Sequence, residues 1–263
     1  MLVFSAIVPH SPLLLPTIGK KHQAKLKKTL GALEVLKEEF LASRPDTLLV
    51  FSPHGSSTPD AFSFNIAPQY QANLQEFGDF TTKIEFKPNL LLIEHLKHLL
   101  KSRADLPSTA NTEQFLDFGA AVPAHLLGKD LPSLKLLPIN DAGLSLKTHY
   151  EFGQAIQDEI FKSEERIAVI ASADLAHTLT DKAPGGFSPK GKEFDSGLVS
   201  CVKEHDKECL LNLESIAQEA RACGLKTITM LFGVLDGVNC SPQPLSYEGP
   251  FGVGYLVAKI KLP

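Results

Sequence analysis

The chain has no excess of positive charge: 26 Lys and Arg stand against 30 Asp and Glu over 263 residues, a formal net charge of −4. That removes the electrostatic case for nucleic acid or an anionic membrane as partner. Cysteine is scarce. The four cysteines, Cys201, Cys209, Cys223 and Cys240, form no C-x-x-C pair, which argues against a cysteine-based zinc site. Confined to one third of a long chain, they do not resemble a disulfide framework, and a reducing, cytoplasmic setting is expected. No run of 18 apolar residues occurs, so nothing reads as a membrane span. The apolar start, MLVFSAIVPHSPLLLP, has no basic n-region and is broken by Pro9, His10 and Pro12. It makes a poor signal peptide. Repeats of fixed period and low-complexity segments are missing as well.

What is there is ordinary for a globular protein: 43% hydrophobic and 21% charged residues. The length allows one large domain or two small ones. Strand-like runs occupy residues 2–8, 46–52, 134–139, 166–172 and 252–260. Two of them, TLLVF and IAVIA, are continuously apolar, as in strands covered on both faces. Helical patterns alternate with them. Residues 20–43 place Leu26, Leu30, Leu33, Leu36 and Phe40 on one stripe. Residues 88–101, 149–162 and 190–205 are periodic too, and 214–236 reads as two helices broken near Gly224. The stretch 53–80, rich in Pro, Ser, Asn and Gln, reads as loop and edge strand. The alternation predicts a single α/β domain over 1–263: three layers, α/β/α, around a mainly parallel, mixed central sheet.

In such sheets ligands bind beyond the carboxyl ends of the strands. His10 follows the first predicted strand in VPHSP, and His54 follows the second in SPHGS. Asp174 and His177 follow the strand at 166–172 in ASADLAH. Two neutral imidazoles at neighbouring strand ends suit a divalent transition metal. With one carboxylate and open positions the set would suit non-haem Fe(II); with a water in the fourth position it would suit Zn. Glu248, in SYEGPFGVG ahead of the last strand, is the best carboxylate candidate. The bland alternatives are concrete: a histidine after a strand is often a turn residue, and Asp174 can serve as a helix cap.

Six segments, AIVPHSPLLLP, FSPHG, SADLAH, APGGFSPKGKEFD, CGLKTITMLFGVLDG and SYEGPFGVGYLVAKI, occur in one order from residue 4 to 260. Together they resemble the class III extradiol dioxygenases, the family of the catalytic subunit of protocatechuate 4,5-dioxygenase. The likeness is to a bacterial branch associated with AMMECR-like, Memo-like and radical-SAM proteins, which become candidate partners; a homo-oligomer, by default a dimer, is the expected assembly. The resemblance implies Fe(II) held by two histidines and a glutamate, which by motif fall on His10, His54 and Glu248. It implies a further histidine as acid and base, which falls on His177. The implied reaction is cleavage of a catechol-like aromatic diol with O2. Zinc is expected in recombinant material, because it outcompetes Fe(II) for such ligands.

One position departs from the pattern. Relatives often read Asp-His-Gly where this chain reads LDFGAAVP, so Phe118 stands where they carry a substrate-side histidine. A phenyl ring offers no hydrogen bond there. The departure opens the alternative of a metal-binding accessory protein of the same fold without oxygenase activity. Phe62, Phe64, Phe115 and Phe118 are candidates to line an apolar pocket.

Overall fold

The computed structural model describes residues 1–56 and 58–263. In chain order the strands are β1 (Leu2–Val8), β2 (Thr47–Ser52), β3 (Phe62–Asn65), β4 (Tyr70–Ala72), β5 (Glu85–Pro88), β6 (Ser108–Asn111), β7 (Phe115–Leu116), β8 (Lys135–Asn140), β9 (Ile167–Ser172), β10 (Ser241–Glu248) and β11 (Tyr255–Lys261). The helices are α1 (Pro16–Gly19), α2 (Lys27–Ser43), α3 (Leu90–Leu100), α4 (Phe118–Gly128), α5 (Leu146–Lys162), α6 (Pro189–Glu204), α7 (Lys207–Leu211), α8 (Glu214–Ala220) and α9 (Leu225–Val234). The stripe predicted over 20–43 becomes a 3-10 segment at Lys20–Lys25 followed by α2. Lys20, with φ of 43°, turns the chain before the regular helix begins.

The sheet runs β10-β11-β1-β9-β2-β8-β5-β4-β7. Its centre, β1-β9-β2-β8, is parallel throughout. On one side β11 pairs antiparallel with β1. On the other, β8 divides its outer edge. Its first residues pair with β5, and its last two, Ile139 and Asn140, pair with β3, which carries β6. Mixed pairing around a parallel centre matches the architecture predicted from the sequence.

Side chains along the central strands alternate between two cores, as a pleated sheet requires. Ile7, Leu49, Phe51, Leu137, Ile139, Val169 and Ala171 face a core built with α3 and α5 to α9. Ala6, Val8, Leu48, Val50, Leu136, Ala168 and Ile170 face the core under α2 and α4. Burial on both faces is the reason these strands read as unbroken apolar runs. On the first face α5 and α9 meet at two glycines. A Cβ on Gly153 would lie 2.1 Å from the Met230 carbonyl oxygen and 2.8 Å from Gly233 Cα. The bare backbones let α9 lie close to α5, which fixes where the start of α9 falls.

The cysteines correct one expectation. Cys201 in α6 and Cys209 in α7 form a disulfide, with Cα atoms 5.5 Å apart. The chain reverses at His205, which adopts a left-handed φ of 53°, so residues eight apart meet. Scarcity and wide spacing therefore do not establish unpaired thiols, and the cytoplasmic expectation loses that support. No helix among the described residues is long and apolar enough to cross a membrane.

One buried acid gives a clean test of the packing. Asp195, on α6, accepts hydrogen bonds from the Ala176 amide (2.8 Å) and the Tyr247 hydroxyl (2.6 Å). Burial still raises its pKa to about 6. The folded state therefore binds the proton more tightly than the unfolded chain, and stability is lost as pH rises from the ordinary carboxylate value through about 6. Asparagine keeps both contacts without a titrating proton. The Asp195→Asn variant should gain on the wild type by up to about 3 kcal/mol between about pH 4 and pH 7. Urea unfolding of both proteins across that range measures it, and a difference independent of pH would refute it.

Candidate metal centre

Four parallel strands end on one edge, and three of those ends contribute to a single group. His10 lies two residues beyond β1 and His54 two beyond β2, with Ser172 closing β9 between them. Strands two places apart are separated by about 9.5 Å. Both imidazoles reach over the end of β9 to meet, with Nε2 atoms 3.1 Å apart. The rings stand edge to face, with centroids 4.7 Å apart.

The hydrogen-bond network assigns the tautomer of His10. Ser172 Oγ donates its one hydrogen to the Gly119 carbonyl oxygen. It can then only accept from His10 Nδ1, 2.8 Å away. Nδ1 carries the hydrogen, and Nε2 is left as a lone pair facing His54. A ring nitrogen held this way by its other nitrogen is the usual preparation of a metal ligand. The His10 amide donates to Asp174 Oδ1 at 3.0 Å, which fixes the turn.

Electrostatics keep both rings uncharged. Burial lowers the pKa of His10 to about 3, and the nearby charge of His177 adds to this. Burial lowers that of His54 to about 4, with His10 the next cause and Asp117 opposing. Neutral imidazoles need no deprotonation before binding a cation. Asp174, wholly buried, moves the other way, and burial is the leading cause.

Helix α4 seals one side. Asp117 caps it, accepting from the Ala120 amide at 3.0 Å and from the Ser52 hydroxyl at 2.5 Å. The next residue, Phe118, stacks on His54 with centroids 4.3 Å apart and meets His10 edge-on at 5.7 Å. Of the four phenylalanines considered for a pocket, Phe62 and Phe64 are buried in the core against Phe152, and Phe115 is exposed. His177 stands beyond β9, half-buried. Its Nδ1 faces the Arg221 carbonyl oxygen at 2.8 Å. A carbonyl only accepts, so Nδ1 bears the hydrogen and Nε2 is the basic nitrogen.

Glu248 is not brought to the histidines. Its Oε1 accepts from the amide (2.8 Å) and hydroxyl (2.7 Å) of Thr29, in the first turn of α2. An acidic group is favoured at that end of a helix, and this role engages Oε1 of the carboxylate. The ligand atoms that gather within 4.8 Å of one another belong to His10, His54 and Cys223. Glu248, expected beside the two histidines, is not in this group, and a thiol is. Cys223 Sγ lies 3.4 Å from His10 Nε2, just ahead of α9.

Comparison with known proteins agrees with this architecture. Residues 5–258 match the family model described as the catalytic LigB subunit of aromatic ring-opening dioxygenase. The chain belongs to the LigB family. A protein of Clostridium acetobutylicum is 28% identical over 97% of this chain. The chain spans 56% of that relative's length. The crystal structure of an uncharacterized protein from Escherichia coli superposes with a TM-score of 0.63, covering 85% of this chain and 89% of that one. At 15% identity this likeness concerns the fold alone.

Within this LigB-family chain, two neutral imidazoles and a sulfur form a donor set that fits a divalent transition metal. LigB proteins typically depend on iron. Sequence reasoning placed both histidines at strand ends and missed the cysteine. The available signal was the Cys-Gly pair of CGLKT, which puts a thiol at the start of a helix.

Proposed function

We propose that the chain is a metal-dependent ring-cleavage dioxygenase acting on a catechol-like aromatic diol with O2. The observation that carries this reading is the pair of neutral Nε2 atoms 3.1 Å apart at the carboxyl edge of the sheet. The family match over residues 5–258 supplies the reaction class. Iron(II), when bound, would supply the electrons and open positions that such chemistry needs. His10 and His54 would hold it, and Ser172 would keep His10 in the right tautomer. His177 Nε2 would take a phenolic proton and later return one. Phe118 would exclude water from the His54 side. A cleft of about 310 Å3, lined in part by Pro53, Asp141, Arg221, Cys223 and Lys226, reaches this group at Cys223 from the α8–α9 side. That volume is at the small end for ligand sites and suits a single aromatic ring.

A second reading, a metal-binding accessory protein without oxygenase activity, is favoured by Phe118. Its ring lies against both His54 and His10, and it donates no hydrogen bond. In that role the chain would act with AMMECR-like, Memo-like or radical-SAM partners. A cytoplasmic location is part of either proposal.

The two readings separate in an oxygen-uptake assay. Wild type and Phe118→His, both loaded with iron under anaerobic conditions, are offered the same panel of catechols. On the dioxygenase reading the variant should be faster by about 10- to 150-fold, the worth of one hydrogen bond of about 1.5–3 kcal/mol to a charged oxygen. Activity in neither, with iron bound in both, would decide for the accessory role.

A further inference from the structure

We infer that Cys223 is the third donor of this centre, and that the site is a two-histidine, one-thiolate site which holds zinc-class ions in preference to iron(II). The inference rests on the metal-binding part of the proposed function and is independent of the dioxygenase part.

Three features of the fold aim the sulfur. Gly224 follows Cys223, and a Cβ there would lie 2.4 Å from Ala173 Cβ and 2.8 Å from the Asp174 carbonyl oxygen. Only glycine lets the chain pass so close to the end of β9. The Asp174 carbonyl then accepts from the Gly224 amide at 3.0 Å, which ties the turn to the residue beside His177's strand end; in the thiol form it also accepts from Cys223 at 3.4 Å, a bond given up when the proton leaves. Third, Thr227 Oγ1 donates to the Ser172 carbonyl at 2.8 Å. The same residue whose hydroxyl orients His10 thereby anchors the first turn of α9. Sulfur and imidazole are positioned by one strand end.

The spacings suit an ion. Tetrahedral zinc, with bonds of about 2.0–2.1 Å to nitrogen and 2.3 Å to sulfur, separates two nitrogens by about 3.3 Å and a nitrogen and sulfur by about 3.6 Å. The corresponding distances are 3.1 Å between the Nε2 atoms and 3.4 Å from Cys223 Sγ to His10 Nε2. An opening of about 0.2 Å in each would admit the ion. His10, 1% exposed, points its lone pair into this space.

Two carboxylates bear on the choice of donor. Glu248 is held by Thr29. Asp174 uses Oδ1 to accept from the His10 amide, and its Oδ2 lies 3.8 Å from His10 Nε2. Asp174 is therefore the carboxylate to test against the thiol. The choice matters because thiolate is a soft donor that suits zinc, whereas two histidines with a carboxylate form the open set of non-haem iron oxygenases.

Cobalt(II) reads the choice directly, because a thiolate bound to it gives a strong near-ultraviolet charge-transfer band that nitrogen and oxygen donors do not give. The full-length wild type, titrated with Co(II), should show that band saturating at one ion per chain. Cys223→Ser should lose the band and bind more weakly, while Asp174→Asn keeps it. In anaerobic competition between Zn(II) and Fe(II), Cys223→Asp should shift the preference toward iron at least about tenfold relative to wild type. Stoichiometric cobalt without the band in wild type would overturn the thiolate and leave a metal centre standing. A band-free wild-type spectrum together with loss of cobalt binding in Asp174→Asn would assign the carboxylate instead. A wild type that binds no ion would overturn both this inference and the proposed function. The wild-type spectrum decides even if a variant fails to fold.

Discussion

His10→Ala and His54→Ala should each lose tight, stoichiometric binding of a divalent ion while the protein stays folded. A preformed site of this kind binds zinc with about 10–16 kcal/mol, so one donor in three or four is worth about 3–5 kcal/mol. That corresponds to an affinity loss of about 10²- to 5 × 10³-fold. The loss should be larger than for Ser172→Ala, which leaves both Nε2 atoms in place and removes only the group that orients His10. Changes to such supporting groups usually cost about 10- to 100-fold. Folding should survive, because both rings are uncharged at neutral pH and no ion pair is broken. Competition against a chromophoric chelator measures the affinity, and circular dichroism checks the fold. Wild-type affinity in both histidine variants would remove the centre from this edge of the sheet.

The positions of the two histidines were legible because of how parallel sheets are built. β1, β9, β2 and β8 run the same way, so their carboxyl ends share one edge. A residue type just past a strand therefore carries spatial information that most residues do not. The two apolar faces were legible for a related reason: burial on both sides leaves unbroken apolar runs. Of the short strands, β3 and β4 fall in the stretch read as loop and edge strand, and β5 to β7 were not legible, since two to four residues give no reliable period and their pairing depends on the outer edge of β8.

The donor set shows the same limit more sharply. Glu248 looked free because its partner, Thr29, is 219 positions away and hydrogen-bonds partly through its backbone amide. Cys223 looked like an ordinary residue at a helix start, and its nearest donor, His10, is 213 positions away. The position of Cys223 depends on the close approach of Gly224 to β9, and no local pattern encodes that distance. The disulfide between Cys201 and Cys209 turns on one left-handed residue, His205. Elements and their ends are local properties; which side chain completes a site is a property of the packing.

The second large effect is expected at His177, and it falls on turnover alone. The ring is anchored by Nδ1 to the Arg221 carbonyl, and its backbone amide donates to the Ala220 carbonyl at 2.9 Å, so two bonds fix it beside the strand end. Its charge is felt at His10, His54 and Asp174, which places it near the centre without making it a member of the ligand group. Alanine there removes a proton carrier and leaves the donors untouched. With a diol that the wild type cleaves, His177→Ala should lower kcat by about 10²- to 10⁴-fold, or about 3–5 kcal/mol of transition-state stabilisation. Affinity for the ion should fall far less than in His10→Ala, because no member of the ligand group is removed. A purely structural role would predict the same loss, so the deciding measurement is chemical rescue. Added imidazole should restore part of the turnover of His177→Ala and leave His10→Ala unaffected, because only the first lacks a mobile base and nothing else. If His177→Ala releases the ion, His177 is a ligand. If it turns over normally, the proton passes through another group, and Asp174, whose carboxyl is pushed up by burial, is the next to replace.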